Sequence, residues 1–151
     1  MYRVTQFSPD HVRQAQLRNE DNEVMWGLPN WNDLLATYAA HYAVTLWHGD
    51  AWVASGGCII LWPGVGEAWA VAGPEIPRHG SQVLKMTKQF LSTTERLFLL
   101  RRIQATIISA RVEWIRFARS LGFKREGTMF GYGPDCKDYE LMARYRGWDR
   151  Q

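Results

Sequence analysis

Cysteine is scarce in this 151-residue chain: Cys58 and Cys136 are the only two. Two cysteines make neither a disulfide framework nor a metal site, so a reducing cytoplasm is the expected setting. The four histidines, His11, His41, His48 and His79, show no zinc-ligand spacing, and no metal is expected. Long hydrophobic runs are also missing. The longest nearly uncharged apolar stretch, 51–62, is interrupted by Ser55-Gly56-Gly57, whereas a membrane-spanning helix needs about 20 apolar residues. The opening Met1-Tyr2-Arg3-Val4-Thr5-Gln6 has no apolar signal core, and no membrane partner is expected. Neither a Gly-x-Ser-x-Gly elbow nor a Walker-type loop occurs, which excludes two common catalytic frameworks. Basic residues are few in the first half. Residues 1–77 carry three (Arg3, Arg13, Arg18) against eight acidic ones, while 78–151 carries fifteen against seven. The positive half suits an anionic partner, such as coenzyme phosphates, nucleic acid or an acidic surface; solvated helix faces are the plainer account.

What is present is ordinary globular composition, 46% hydrophobic and 22% charged, enough for one domain spanning 1–151 with a real core. Alternation over 2–7 predicts a strand. Ser8-Pro9-Asp10 is helix-opening chemistry, with a cap, a proline at the first position and an acid at the positive dipole end; this helix is expected to run to about Asn19. A second helix is expected from Asn30 through Tyr38. Strands follow over 41–47 and 51–62 around the turn His48-Gly49-Asp50. After the turn 63–66 a short strand covers 67–72, completing an antiparallel meander. A loop over 73–77 precedes a long helix opened by Gly80-Ser81, whose apolar positions are Val83, Met86, Phe90, Leu91, Leu97 and Phe98. A β-branched strand over 102–109, an amphipathic helix over 110–121 stopped by Gly122, and strands over 123–128 and 138–145 complete the order β-α-α-β-β-β-α-β-α-β-β.

That order, with Phe117-Ala118-Arg119-Ser120-Leu121-Gly122-Phe123-Lys124-Arg125-Glu126-Gly127 and the closing Asp138-Tyr139-Glu140-Leu141-Met142, resembles the GNAT superfamily of N-acetyltransferases. The resemblance covers nearly the whole chain in element order, with its residue-level part between Pro74 and Met142. It implies an α/β fold with a mixed, mostly antiparallel seven-stranded sheet flanked by helices. It also implies acetyl coenzyme A as co-substrate and the amine of a small molecule or protein as acceptor. In such folds the pantetheine arm lies along the fourth strand, here the main chain of Ala70, Val71 and Ala72. The pyrophosphate sits where the long helix begins, here Arg78, Gly80, Ser81, Gln82 and Val83, because a helix start offers unpaired amides and about +0.5 of a charge.

The chain departs from the family pattern at several of these positions. The phosphate loop usually reads Pro-Glu-x-Arg-x-x-Gly-x-Gly/Ala; here it is Pro74-Glu75-Ile76-Pro77-Arg78-His79-Gly80-Ser81-Gln82. Pro77, without an amide hydrogen, stands where Arg or Gln is usual, and Gln82 where a small residue is usual. Arg78, His79 and Lys85 offer charge in compensation. The tyrosine that often protonates the leaving thiolate corresponds to Ala118, and the asparagine usual at that helix start to Arg111. Glu67 matches the position from which some members draw a general base, and Tyr132, Cys136 and Tyr139 are alternative proton donors. Trp26 and Trp31 fall in the acceptor-binding loop and are candidate substrate contacts; Trp47, Trp52, Trp62, Trp69 and Trp114 read as core or sheet-face residues.

The run Trp114-Ile115-Arg116-Phe117-Ala118-Arg119-Ser120-Leu121-Gly122 also looks like a phage branch of this fold. That likeness implies, as an alternative, a non-catalytic structural or interaction protein in host cytoplasm or virion. A nucleic-acid-binding module is the other alternative. The basic residues between Arg96 and Arg125 carry no helix-turn-helix, RNA-binding-sheet or zinc-finger signature, and coenzyme A explains the charge with fewer assumptions. Whether the chain forms a homodimer is open at this level.

Overall fold

The computed structural model describes residues 1–15 and 31–147, with Trp31 described in its backbone alone. The elements are β1 (Tyr2–Gln6), α1 (Pro9–Gln14), α2 (Trp31–Ala40), β2 (Tyr42–His48), β3 (Ala51–Trp62) and β4 (Val65–Ala72). A 3-10 turn (Ile76–His79) leads into α3 (Gly80–Phe98), followed by β5 (Arg102–Ile108), α4 (Val112–Ser120), β6 (Lys124–Met129) and β7 (Tyr139–Tyr145). α1 stops at Gln14, with Ala15 already extended, short of the expected end near Asn19; residues 16–19 lie outside the described residues. One seven-stranded sheet has the order β1-β2-β3-β4-β5-β7-β6. Its β1–β2, β2–β3, β5–β7 and β6–β7 ladders are antiparallel, and β4–β5 is parallel. The expected loop over 73–77 is partly a 3-10 turn, and β4 begins two residues earlier than its alternation indicates, because the tight turn needs only Pro63-Gly64. Contacts divide the chain into two compact units, Met1–Ile59 with Trp69–Gly80, and Ile60–Ala68 with Ser81–Gln151.

In the first unit, Phe7, Val12, Leu35, Ala43 and Val71 form a buried cluster, against which Leu34, Tyr38, Ala39, Trp52 and Trp69 pack. Each fully buried aliphatic side chain contributes about 1.5–3 kcal/mol. Gly57 opposes Ala43 across the β2–β3 ladder, and a Cβ there would lie 2.7 Å from the Cβ of Ala43; only glycine lets the strands approach so closely. Four polar side chains here satisfy one another in a chain. Trp52 Nε1 donates to Ser55 Oγ at 3.0 Å, Ser55 and Thr45 hydroxyls are 2.8 Å apart, and Thr45 Oγ1 is 2.8 Å from His11 Nδ1.

In the second unit, Leu91, Leu100, Ile103, Met142 and Ala143 are buried almost completely. The expected apolar face of α3 requires a correction: Leu97 is 60% exposed and Phe98 41%, while Thr94 and Glu95 are buried. The cause is the way the helix ends. The Leu100 amide returns to the Glu95 carbonyl at 2.9 Å with Leu99 at φ 52, a Schellman ending that sends Leu100 inward and leaves Leu97 and Phe98 outside. Helix α4 ends in the same way, with the Phe123 amide on the Ala118 carbonyl at 3.0 Å and Gly122 at φ 91. Glu95, though buried, is held by Arg144 at 2.7 Å and Arg146 at 3.3 Å.

Candidate active site

The approach to α3 is built by local turns. Gly73 donates to Val53 O at 2.9 Å, Ile76 to Gly73 O at 3.2 Å and Arg78 to Glu75 O at 3.0 Å. Pro77 occupies the first turn of the 3-10 segment, where a missing amide hydrogen leaves no helical bond unmade. Gly80 has ordinary helical dihedrals, φ −53 and ψ −48, so the backbone does not require glycine there. A Cβ on Gly80 would meet nothing within 4 Å. Ser81 is exposed, Gln82 half-buried and Val83 buried. The first amides of an α-helix have no partner within it, and among the described residues no side chain bonds to those of Gly80, Ser81 or Gln82.

The charged groups near this helix start are differently placed. Arg78 is 80% exposed, its Nε 3.1 Å from Glu75 Oε2; a pair so exposed contributes little and yields readily to a stronger anion. His79 is turned onto the β1–β2 ladder: its Nδ1 lies 2.6 Å from the Tyr2 hydroxyl, with the His48 ring 4.9 Å away. Lys85, one turn into α3, is exposed. On β4, Ala70 is exposed while Val71 and Ala72 are buried, and Trp69 stacks on Tyr38 at 4.1 Å. The parallel ladder pairs Val65–Glu67 with Arg102–Gln104, so Ala70, Val71 and Ala72 lie past its last pair.

Glu67 is half-buried and accepts a hydrogen bond from Gln104 Nε2 at 3.4 Å. Gln104 Oε1 accepts from Arg102 Nε at 3.2 Å, and Arg102 forms a fork on Glu126 at 2.8 and 2.5 Å. The fork holds the Glu126 carboxyl below the usual carboxylate range, chiefly through the Arg102 hydrogen bond, and raises Arg102 by the same bond. The sequence singles out Glu67 as a candidate but not its partners, because parallel register rather than sequence proximity brings Gln104 beside it.

A second carboxylate escaped the sequence reading. Glu140 on β7 is buried, accepts from Ser109 Oγ at 2.5 Å and Thr128 Oγ1 at 2.8 Å, and pairs with Arg125 at 2.6 Å. The Ser109 hydrogen bond does most to hold its carboxyl below the ordinary value, with Thr128 and Arg125 adding to it against the effect of burial. A carboxylate so fully engaged locks β5, β6 and β7 together and is a poor base. Among the other candidates, Ala118 is buried, Arg111 is held on Glu113 at 2.6 Å, and Tyr132 meets Tyr139 edge-on at 5.4 Å. Cys136 is exposed. Trp26 lies outside the described residues, and Trp31 opens α2. Among the described residues no three His, Cys, Asp or Glu side chains gather as a metal site, and no helix is long and apolar enough to cross a membrane.

No protein-family model and no curated protein matches the chain. Solved structures do match it over nearly its whole length. An acetyltransferase of the GNAT family from Bacillus anthracis aligns at TM-score 0.71 and 15% identity, over 97% of this chain and 95% of that one. A Salmonella typhimurium protein assigned as an acetyltransferase, solved with its cofactor acetyl-CoA, aligns at TM-score 0.70 and 16% identity, over 96% and 94%. A variant of the spermidine N-acetyltransferase of Vibrio cholerae aligns at 0.72 and 12%, over 97% and 94%. At these identities the likeness is one of fold.

Proposed function

From the GNAT fold that the chain shares with these acetyltransferases, we propose that it is an acetyl-CoA-dependent N-acetyltransferase acting on the amine of a small molecule or protein. The observation that carries this reading is the start of α3. A glycine stands there although its dihedrals are open to any residue, the space beside it is empty, and the first-turn amides have no side-chain partner among the described residues. A helix start that no side chain caps, with open space beside its glycine, fits a diphosphate, which needs close backbone approach. Gly80, Ser81 and Gln82 would hold the pyrophosphate by main chain, with Val83 anchoring the turn inward and Arg78 exchanging Glu75 for phosphate. Ala70, Val71 and Ala72 would contact the pantetheine arm through their backbone.

When bound, acetyl-CoA supplies an activated thioester. The chain's part is to position the amine and to take the proton it loses as the new bond to nitrogen forms. Glu67 is the base, directly or through water, and the departing thiolate takes its proton from solvent. In calorimetry, acetyl-CoA is expected to bind with micromolar to sub-millimolar affinity. At saturation it should raise the melting temperature by several degrees, as linkage requires. Absence of heat and of a thermal shift at millimolar acetyl-CoA overturns the reading. A second reading, a scaffold without turnover, is favoured by one feature: the position of the usual proton-donating tyrosine is the buried Ala118. It predicts coenzyme binding without release of free thiol from any amine tested.

A further inference from the structure

We propose that Gln104 is a positioning residue for Glu67, and that Arg102, clamped by Glu126, decides which way Gln104 points. The inference rests on the reading of Glu67 as the base and deepens it. A glutamine side chain presents a donor at one end of its amide and an acceptor at the other, and the two are interchangeable by a half-turn. Beside a carboxylate only one orientation is attractive. Arg102 removes the choice, because a guanidinium can only donate. Its Nε lies 3.2 Å from Gln104 Oε1, so the amide nitrogen is the end left facing Glu67, 3.4 Å from Oε1. Arg102 cannot turn away in its place, since its two terminal nitrogens are engaged by Glu126 at 2.8 and 2.5 Å. The register contributes as well: Glu67 and Gln104 are direct partners in the parallel ladder and Arg102 sits two residues earlier on the same strand, which places Arg102 and Gln104 on one face of the sheet.

One oxygen of Glu67 is thus tethered, while among the described residues no side chain bonds to its Oε2, leaving that oxygen to accept a proton. The tether fixes the plane of the carboxylate. A tethered base gains mainly in the chemical step and little in coenzyme binding, and this separates positioning from a merely structural role. In contrast to Glu140, whose three donors hold it for structure, Glu67 has one donor, on one side.

The test uses the full chain with acetyl-CoA and spermidine as acceptor, reading thiol release. Glu67→Gln should lower kcat about a hundredfold, the scale of a lost general base. Gln104→Leu should lower kcat about tenfold with KM for acetyl-CoA unchanged. Gln104→Glu keeps the shape and the bond to Arg102 but turns an acceptor toward Glu67, and it should fare no better than leucine. In the Glu67→Gln background, Gln104→Leu should cost nothing more, since a positioning residue is worthless once its base is gone. An additive loss in the double variant, or full activity in Gln104→Glu, overturns the proposal. A rate unchanged by Glu67→Gln overturns both this proposal and the choice of base. Should spermidine not be an acceptor, the side-chain amide protons of Gln104 in solution decide the point: one should be shifted by its bond to Glu67 and return to the free value in Glu67→Ala. Amide protons that ignore Glu67→Ala overturn the tether whatever the turnover.

Discussion

The starts of α1 and α3 show two opposite solutions to the same problem. Each presents amides that the helix itself does not use. At α1 the chain closes the end with its own side chains: Ser8 Oγ accepts from the Asp10 amide at 3.4 Å, and His11 Nδ1 accepts from the Ser8 amide at 3.2 Å, a reciprocal capping box. At α3 a 3-10 turn feeds into the helix, the residue at the junction is Gly80, and among the described residues no side chain returns to cap it. A capped end belongs to the fold. An end that no side chain caps, with the space beside its glycine empty, is suited to a group from outside. The far end of α3 sharpens the contrast. There Leu99, 82% exposed, takes φ 52, a conformation that favours glycine, while the glycine of this helix sits at the other end in a conformation that needs none. Backbone strain therefore explains Gly122 but not Gly80.

The largest expected effect comes from filling the open start. Gly80→Val should weaken acetyl-CoA binding about a hundredfold, about 2.7 kcal/mol, while the melting temperature stays level or rises slightly, because valine is a better helix former than glycine. Calorimetry and a thermal melt on the same sample check both halves. Equal losses of affinity and stability would mean that Gly80 serves the fold after all. Next are the two helix ends that do need glycine. Gly122→Ala should cost about 1–2 kcal/mol in urea unfolding, and Leu99→Gly should gain about 1 kcal/mol, by removing left-handed strain. Neither should alter coenzyme affinity.

The smallest effect concerns the capped start. Burial lowers the His11 pKa below the usual histidine value, with Asp10 pulling it up and Arg3 adding to the lowering. An unfolded chain therefore takes up this proton first as pH falls below about 6.5. Stability should decline from that point downward, and more shallowly in His11→Gln. Urea midpoints at two pH values on either side test the sign. Ser8→Ala should cost about 1 kcal/mol with no change in acetyl-CoA affinity.

Element order was legible because each element carries local signals: Ser8-Pro9 opens α1, Gly122 closes α4, and alternation marks the strands. Boundaries moved where tertiary contacts outweigh local signals. Leu97 and Phe98 have the spacing of a buried face, yet the turn at Leu99 substitutes Leu100 for them. The candidate site was legible only in part. Order and motif single out Glu67, Gly80 and Ser81 as candidates. The clamp of Gln104 by Arg102 and Glu126 could not, since Arg102 and Glu126 are distant in sequence and ladder register alone brings Gln104 to Glu67. His79 read as a free cation of the phosphate loop, whereas its ring lies on Tyr2, 77 residues away. No local pattern encodes that contact.

The most direct measurement follows the backbone amide resonances of Gly80, Ser81 and Gln82 while acetyl-CoA is added. Seating of a diphosphate on the open helix start predicts saturable shifts of these three amides, larger than those of Asp10 and His11 at the capped start. Silence of the three up to millimolar coenzyme, or a response confined to other residues, would contradict the account.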